Sequence, residues 1–374
     1  MNILYLANVD WFFVSHFLHL ARRARAAGHT VAVATHVESA GARLVEAGVE
    51  VIRLPARRGG VLPRGIAGAA RVVASELTRT PGTLLHGFGL FGIAVGALAR
   101  RMSGPGAQVY TITGRGYSAV ASTARARLVR GATAGLCARL ADGQRTRWIA
   151  ENGADILACG LAPAEREGRT ALVGGAGIDP ERFAPSPMPP QPPLRCALVA
   201  RMIWSKGIDV AVEAVGRARN AGADVELSLV GGLDAGNPQA LGEAELGAFA
   251  ARPGIRWLGR SDDIAGIWRT HHVALLPSRG GEGLPKSLIE AAACGRPVLT
   301  TSVPGCAEFA QATRGWTVAP GDARALGDRL VEIARDASLA ERGAFAAEVA
   351  QARYTEADAW RVAAHFYAEL EASR

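Results

Sequence analysis

The sequence predicts an α/β protein of two domains, each a parallel sheet covered by helices on both faces. Three observations carry this. At 374 residues the chain is longer than the usual single domain. Short apolar runs alternate with stretches of helical periodicity in both halves, the βαβα order that demands a parallel sheet. Between the halves, Ser186-Pro-Met-Pro-Pro-Gln-Pro-Pro193 is dense enough in proline to mark a semi-rigid linker.

The first domain is placed at 1–185. Its strands are expected at 3–8, 29–35, 50–54, 83–87, 108–113, 148–151 and 170–174, where apolar runs end in turn residues. Residues 9–15 read as a loop. A helix over 16–27 follows, with Ser15 as its N-cap and Gly28 as its stop. Further helices are expected at 39–47, 65–79, 90–102 and 155–161. Apolar spacing gives another over 123–140, despite Gly131 and Gly135 inside it. The loop at 55–64 carries Arg57, Arg58 and Arg64.

The second domain is placed at 186–355. Strands are expected at 196–200, 226–230, 255–258, 273–276, 298–301 and 316–318, with helices near 207–221, 243–251, 263–270, 285–294 and 322–336. A last helical stretch, 339–372, breaks near Tyr354-Thr355, and its end, 356–372, is expected to pack back onto the first domain. Parallel sheets of this kind bind ligands beyond the carboxyl ends of their strands. The loops after Asn8, His86 and Thr113 are candidate ligand loops in the first domain.

Composition narrows the class. Apolar residues are 49% and charged residues 20%, as in a packed globular protein. The five cysteines are an odd number without a C-x-x-C, against a disulfide framework or zinc site and in favour of a reducing compartment. The N-terminus, Met1-Asn-Ile-Leu-Tyr-Leu-Ala-Asn8, lacks a basic leader and reads as a first strand, so no signal peptide is expected. Residues 83–99 are apolar but short for a membrane span and contain His86 and four glycines, so they read as strand, turn and helix. Charge is uneven. Residues 1–185 hold 22 arginines against 12 acids, whereas the rest holds 20 basic and 22 acidic residues. The excess points to an anionic partner for the first half, a membrane surface or a phosphorylated acceptor. No nucleic-acid recognition motif accompanies it.

The richest stretch is Ser278-Arg-Gly-Gly-Glu-Gly-Leu-Pro-Lys-Ser-Leu-Ile-Glu-Ala-Ala-Ala-Cys-Gly295, which reads as strand end, glycine loop and helix. Pro285 suits the first helical position and Gly295 the residue past the end. The first-turn amides of Lys286, Ser287 and Leu288 make a natural anion site. Glu282 lies on the loop and Glu290 on the helix. They read as an acid/base pair, or Glu290 as a helix-surface partner of Lys286. Arg201, at a strand end, and Lys206, at the following helix start, suit a diphosphate. Gly87-Phe-Gly-Leu-Phe-Gly92 has the letters of a dinucleotide fingerprint, but no acid follows near position 110, and it reads as close backbone packing.

Together these residues resemble the retaining glycosyltransferases of family 4. Glu282 to Glu290 matches the family's E-x7-E, and Arg201 with Lys206 its R-x4-K-G. Val173-Gly-Gly-Ala-Gly-Ile-Asp-Pro-Glu-Arg-Phe183 matches its interdomain segment. Gly231 and Gly259 fall at two strand ends that face the nucleotide in the family. The resemblance implies the GT-B fold: two Rossmann-like domains facing each other across a cleft, the first on the acceptor side and the second binding a nucleotide-sugar. It implies catalytic roles for Glu282, Arg201 and Lys206, the two cations neutralising the diphosphate leaving group. It implies donor binding by Glu290, at the ribose, and by Gly283, Leu284, Gly231 and Gly259. No metal and no cofactor are expected beyond the donor, a UDP-sugar.

The chain departs from the family in the first half. Where many members have a histidine, in Tyr110-Thr-Ile-Thr-Gly-Arg-Gly-Tyr117, this chain has Gly114 or Arg115. Where many have a glycine pair after the first strand, it has Asp10-Trp-Phe-Phe-Val-Ser-His16. His16, Arg115 and Gly114 are therefore the candidates for acceptor or phosphate contact. These segments resemble a subgroup of bacterial polysaccharide transferases, several of which use UDP-N-acetylhexosamines and lipid-linked acceptors. The expected function is transfer of a hexose or N-acetylhexosamine from a UDP-sugar to a glycan or lipid-linked acceptor in cell-surface polysaccharide synthesis. The expected location is cytoplasmic, peripheral at the inner face of the plasma membrane. The competing readings are a nucleotide-sugar 2-epimerase of the same fold and an inactive nucleotide-sugar-binding protein.

Overall fold

The computed structural model describes residues 1–55, 63–116, 123–234 and 236–373. Arg57, Arg58 and Tyr117 lie outside the described residues. The chain forms two compact units: Met1–Gly177 joined by Glu356–Arg374, and Ile178–Thr355.

The first unit holds a seven-stranded, all-parallel sheet in the order β3-β2-β1-β4-β5-β6-β7. The strands are β1 (Asn2–Val9), β2 (Thr30–His36), β3 (Glu50–Arg53), β4 (Leu84–Phe88), β5 (Gln108–Ile112), β6 (Thr146–Ala150) and β7 (Thr170–Leu172). β1 is apolar at nearly every position because both its faces are covered. Ile3, Tyr5 and Ala7 enter one core cluster, and Leu4 and Leu6 enter another. The Gly87–Gly92 segment is packed backbone on backbone, since a Cβ on Gly87 would fall 2.8 Å from the Gly92 carbonyl oxygen.

Residues 10–15, expected within a loop, form a helix that ends at His16, Asp10–His16. A break at Phe17 separates it from the helix Leu18–Ala26. Ser15 is therefore not an N-cap, and His16 ends a helix where it was expected to start one. Packing explains the difference. Phe13 lies 5.5 Å from Tyr5 and 5.6 Å from Phe88, and Phe17 stacks on Phe88 at 4.2 Å between ring centres. Asp10 secures the start of the segment from below. Its buried carboxylate accepts from the amides of Trp11 (2.8 Å), Ser39 (3.1 Å) and Ala40 (2.6 Å). Tertiary burial here overrides a weak local helix signal. The predicted helix over 123–140 forms as Ala124–Gly135, with Thr123 as N-cap, and continues as a π-helical turn, Leu136–Ala141. Two short helices, Ala162–Arg166 and Cys306–Ala312, were not expected.

The helix Glu356–Ala372 belongs to the first unit. Phe366, Tyr367 and Leu370 join the core cluster of Ile3 and Tyr5. The Tyr367 hydroxyl lies 2.6 Å from His86 Nδ1, and Thr111 Oγ1 lies 2.7 Å from His86 Nε2. Burial pushes the His86 imidazole down to about 3, so it is a neutral structural group.

The second unit holds a six-stranded parallel sheet in the order β10-β9-β8-β11-β12-β13. Its strands are β8 (Leu194–Val199), β9 (Val225–Val230), β10 (Ile255–Gly259), β11 (Val273–Leu276), β12 (Val298–Thr301) and β13 (Trp316–Val318). All five cysteines are free and buried.

The compact units divide at Gly177–Ile178, and the proline segment expected as a linker at 186–193 is anchored within the second unit. Arg296 explains this. Its side chain is fully buried and faces main-chain carbonyls and one hydroxyl. It donates to the carbonyls of Trp268 (2.6 Å), Ser186 (2.7 Å), Cys294 (2.7 Å) and Pro187 (3.0 Å), and to Ser186 Oγ (3.0 Å). Pro189 and Gln191 add contacts to His272 and to the Ala334 carbonyl. Removing Arg296 takes its donors from the part-buried Ser186 and Pro187 carbonyls, each loss costing roughly 1–3 kcal/mol, and leaves a gap where a fully buried side chain stood. Arg296→Ala is expected to destabilise the protein by at least about 3 kcal/mol. Urea denaturation followed by tryptophan fluorescence reads this, and a loss below about 1 kcal/mol contradicts it.

Candidate functional site

In the second sheet, strand order reverses between β8 and β11. Loops leaving these neighbouring parallel strands diverge to opposite faces, and their carboxyl ends frame the crevice where open sheets of this type take ligands. β8 delivers residues 200–207 and β11 delivers residues 277–284.

The two loops are stitched together. The Arg279 amide donates to the Ser205 carbonyl (2.8 Å). Its guanidinium donates to both Asp209 carboxylate oxygens (2.8 and 2.7 Å) and lies 4.4 Å from the Trp204 ring centre. Burial opposes ionisation of Asp209, but Arg279 more than offsets it, and the carboxyl stays below its ordinary value. Gly207, at φ 69°, permits the approach, because a Cβ there would run into the Pro277 carbonyl oxygen.

The contact brings Lys206 and Glu282 together. Lys206 Nζ lies 2.8 Å from both carboxylate oxygens, and both side chains are largely buried. Ser278 Oγ donates to the same carboxylate at 2.7 Å. Ser278 is itself held by Thr301, whose hydroxyl donates to its carbonyl at 2.6 Å. Arg201, on the same loop as Lys206, is about half exposed and pairs with Asp234 at 2.9 Å. Gly231 and Gly259 set the backbone beside it. A Cβ on Gly231 would collide with the Ala200 carbonyl, while the Gly231 amide donates to the Gly259 carbonyl at 2.8 Å.

Gly283 and Leu284 are buried and lead into the helix Lys286–Ala293. The left-handed turn before them is made by Gly280 and Gly281, at φ 125° and 76°. Pro285, expected as the first helical residue, is the N-cap. Of the three first-turn amides expected to be open, that of Leu288 is taken by the Pro285 carbonyl at 3.0 Å.

Glu290 is buried on this helix, and among the described residues its carboxylate meets no hydrogen-bond or ion-pair partner. Among the described residues no hydrogen bond or close ion pair joins it to Lys286, whose charge nonetheless acts on it. Burial pushes its carboxyl up to about 7, with Lys286 and Arg182 pulling it back from further away. Ionising a carboxyl in so buried a position is opposed by desolvation unless donors are supplied to it.

The three candidates of the first unit have local partners. His16 Nδ1 lies 2.7 Å from Ser15 Oγ and 3.2 Å from the Phe12 carbonyl oxygen. Arg115 donates to Asp155 at 2.7 Å, and Asn152 supports the same carboxylate. Burial nonetheless keeps the Asp155 carboxyl above its ordinary value. Gly114 adopts φ 92°. Sequence reasoning missed Asp234, Ser278 and the Arg279–Asp209 clamp. Ser278 and Arg279 lay inside the stretch singled out for Glu282, but nothing in the spacing connected them to 205–209. Among the described residues, no group of His, Cys, Asp and Glu is arranged to hold a metal ion.

Two family models match the chain. The model described as "Glycosyl transferase 4-like" matches residues 2–139, and that described as "Glycosyl transferases group 1" matches 193–336. The amylovoran biosynthesis glycosyltransferase AmsK of Erwinia amylovora is 30% identical over 189 residues, 48% of this chain and 44% of AmsK. The N,N'-diacetylbacillosaminyl-diphospho-undecaprenol alpha-1,3-N-acetylgalactosaminyltransferase of Campylobacter jejuni is 29% identical, over 38% of this chain and 36% of its own. The chain thus spans less than half the length of these curated relatives. Anabaena Alr3699/HepE, solved with UDP and glucose, shares the fold, with a TM-score of 0.78 at 19% identity, covering 99% of this chain and 100% of that one. The chain belongs to the group 1 and 4-like glycosyltransferases of the GT-B fold.

Proposed function

We propose that the protein transfers a sugar, a hexose or N-acetylhexosamine, from a UDP-sugar to a glycan or lipid-linked acceptor, with retention at the anomeric carbon and without a metal. The observation that carries this is the Lys206–Glu282 pair at the strand-order reversal of the second sheet, with Arg201 on the same loop and Glu290 close by in sequence. Arg201 and Lys206 neutralise the charge that grows on the departing diphosphate, as fixed cations do at low reorganisation cost. Glu282 exchanges its bond to Lys206 for donor-sugar hydroxyls, and Glu290 accepts from the ribose. Main-chain amides at Gly283 and Leu284 face the donor. The UDP in the HepE structure and the diphospho-undecaprenol in the Campylobacter enzyme's name favour this donor and acceptor class.

We assign acceptor recognition to the first unit, against an anionic membrane face. Between Glu76 and Asp142 the sequence has eight arginines and no acid. The helix Ala124–Gly135 and the π-helical turn after it expose Leu128, Val129 and Leu140 beside Arg127 and Arg139. Apolar residues among arginines suit the interface of an anionic bilayer. No helix among the described residues is long and apolar enough to cross a membrane.

Three outcomes are expected. A thermal-shift screen across UDP-, GDP- and ADP-sugars identifies a stabilising UDP-sugar. With that donor and an acceptor, Glu282→Ala and Arg201→Ala each lower transfer by roughly 10²–10³-fold while the circular dichroism spectrum is unchanged. Full turnover by either variant removes the assigned role. Conversion of UDP-N-acetylglucosamine without acceptor would identify an epimerase instead.

The second outcome concerns pH. If ribose hydroxyls hold the Glu290 carboxylate ionised, UDP binding releases its proton, so affinity rises with pH through about 7 and levels off above it. Between pH 6 and 8 the change is up to about tenfold. Glu290→Gln flattens the profile. For folding, the sign is opposite: the raised carboxyl favours the folded state below the unfolded value of 4.5, and this is lost as pH rises through about 7. Calorimetric titration with UDP at several pH values decides the matter; a flat wild-type profile contradicts it.

The third concerns the membrane. The protein is expected to sediment with phosphatidylglycerol-containing vesicles and not with pure phosphatidylcholine. Reversing Arg127 or Arg139 weakens binding at least about fivefold, since each basic residue near the surface contributes roughly 1 kcal/mol. Equal binding by Leu128→Glu and Arg139→Glu rules this surface out.

A further inference from the structure

We infer that Asp234 is the positioning residue that fixes Arg201 for a donor diphosphate, an inference that rests on the nucleotide-sugar reading above. Arg201 is 48% exposed, whereas the Asp234 side chain is 5% exposed. Asp234 Oδ2 accepts from Arg201 Nη1 at 2.9 Å and from Asn237 Nδ2 at 3.1 Å. Among the described residues it is the one acceptor that Arg201 meets. A guanidinium has five N–H donors, so this contact leaves donors for phosphate oxygens on the exposed side.

The carboxylate is anchored to the very loop that Arg201 begins. The Trp204 amide donates to the Gln239 carbonyl at 2.9 Å, and the Leu241 amide to the Met202 carbonyl at 2.9 Å. Ile203 and Ala240 form an antiparallel bridge. Within the Asp234 loop, the Asn237 amide donates to the Asp234 carbonyl at 2.8 Å, and the Gln239 amide to Asn237 Oδ1 at 3.0 Å. Asp234 and Arg201 therefore share one backbone frame with Lys206, which ends the same loop. A long, half-exposed arginine otherwise samples many rotamers, and ordering it on binding opposes affinity. A buried carboxylate at a fixed point removes much of that cost before the ligand arrives.

The test is UDP and UMP binding by calorimetry to wild type, Asp234→Asn, Asp234→Ala, Arg201→Ala and the double variant Asp234→Ala/Arg201→Ala, with melting temperature as the folding control. Asp234→Ala is expected to weaken UDP binding about tenfold and Asp234→Asn less, with UMP, which lacks the second phosphate, nearly unaffected. In the Arg201→Ala background, Asp234→Ala is expected to add nothing, because a positioning residue acts only through its partner. If wild type binds UDP and Arg201→Ala weakens it, but Asp234→Ala binds as wild type, binds more tightly or adds its full effect in the double variant, the inference is overturned and the donor reading stands. Wild type binding neither UDP nor any other nucleoside diphosphate overturns the donor reading, and this inference with it.

Discussion

The candidate site depends on the close approach of two loops, residues 200–207 and 277–282, at the point where strand order reverses between β8 and β11. The Lys206–Glu282 and Arg279–Asp209 pairs follow from it. Gly207 lies against the Pro277 carbonyl, where a side chain has no room. The Ser205 carbonyl accepts from the Arg279 amide, and Asp209 then receives the Arg279 guanidinium on both oxygens. Lys206 and Glu282, 76 positions apart in the chain, meet where these contacts hold the two loops together. A pair with both partners largely buried is worth little alone, since desolvation offsets most of the attraction. Its value is in fixing geometry, and the backbone around it bears the cost.

The same arrangement leaves the free site nearly neutral. Arg201 faces Asp234, and Lys206 faces Glu282. The third carboxylate, Glu290, is pushed toward protonation by burial near neutral pH. A site made of bare cations would repel itself in the free protein and attract any anion. On the donor reading proposed above, pairing each cation with a carboxylate would make entry conditional on a ligand that supplies both a diphosphate for the cations and hydroxyl donors for the carboxylates. A nucleotide-sugar carries both, whereas inorganic phosphate supplies only the first. Specificity of this kind arises from groups that would be left unpaired by the wrong ligand.

How far this was legible in the sequence depended on how local the signal was. The strands of both sheets were readable because parallel strands covered on both faces are continuous apolar runs, and 273–276, 298–301 and 316–318 fall where the structure has β11, β12 and β13. Glu282, Lys206 and Arg201 were found because each belongs to a recognisable spacing. Asp234 was not, because its meaning comes from a loop folded back onto 202–204, a contact that no period in the sequence encodes. The helix Asp10–His16 was missed for a related reason: its stability lies in Phe13 packing against Tyr5 and Phe88, residues from two other strands. Glu290 shows the remaining limit. Its position was clear, but whether it pairs with Lys286 one turn away depends on side-chain geometry that spacing does not encode.

The first sheet shows that topology alone does not make such a site. Its order also reverses, between β1 and β4, and the same rule would place a ligand crevice beyond those strands. There the chain places rings. Phe13 and Phe17, which follow β1, are buried against Phe88 at the end of β4, with Phe17 and Phe88 stacked at 4.2 Å. Asp10, at the start of the same helix, is taken up by the amides of Trp11, Ser39 and Ala40. The reversal in the first sheet is thus filled with apolar surface and satisfied main-chain donors, and the reversal in the second with two ion pairs. One architecture, used twice in one chain, separates a packed edge from a charged one by the side chains of two loops. Function must therefore be argued from those loops and not from the fold that presents them.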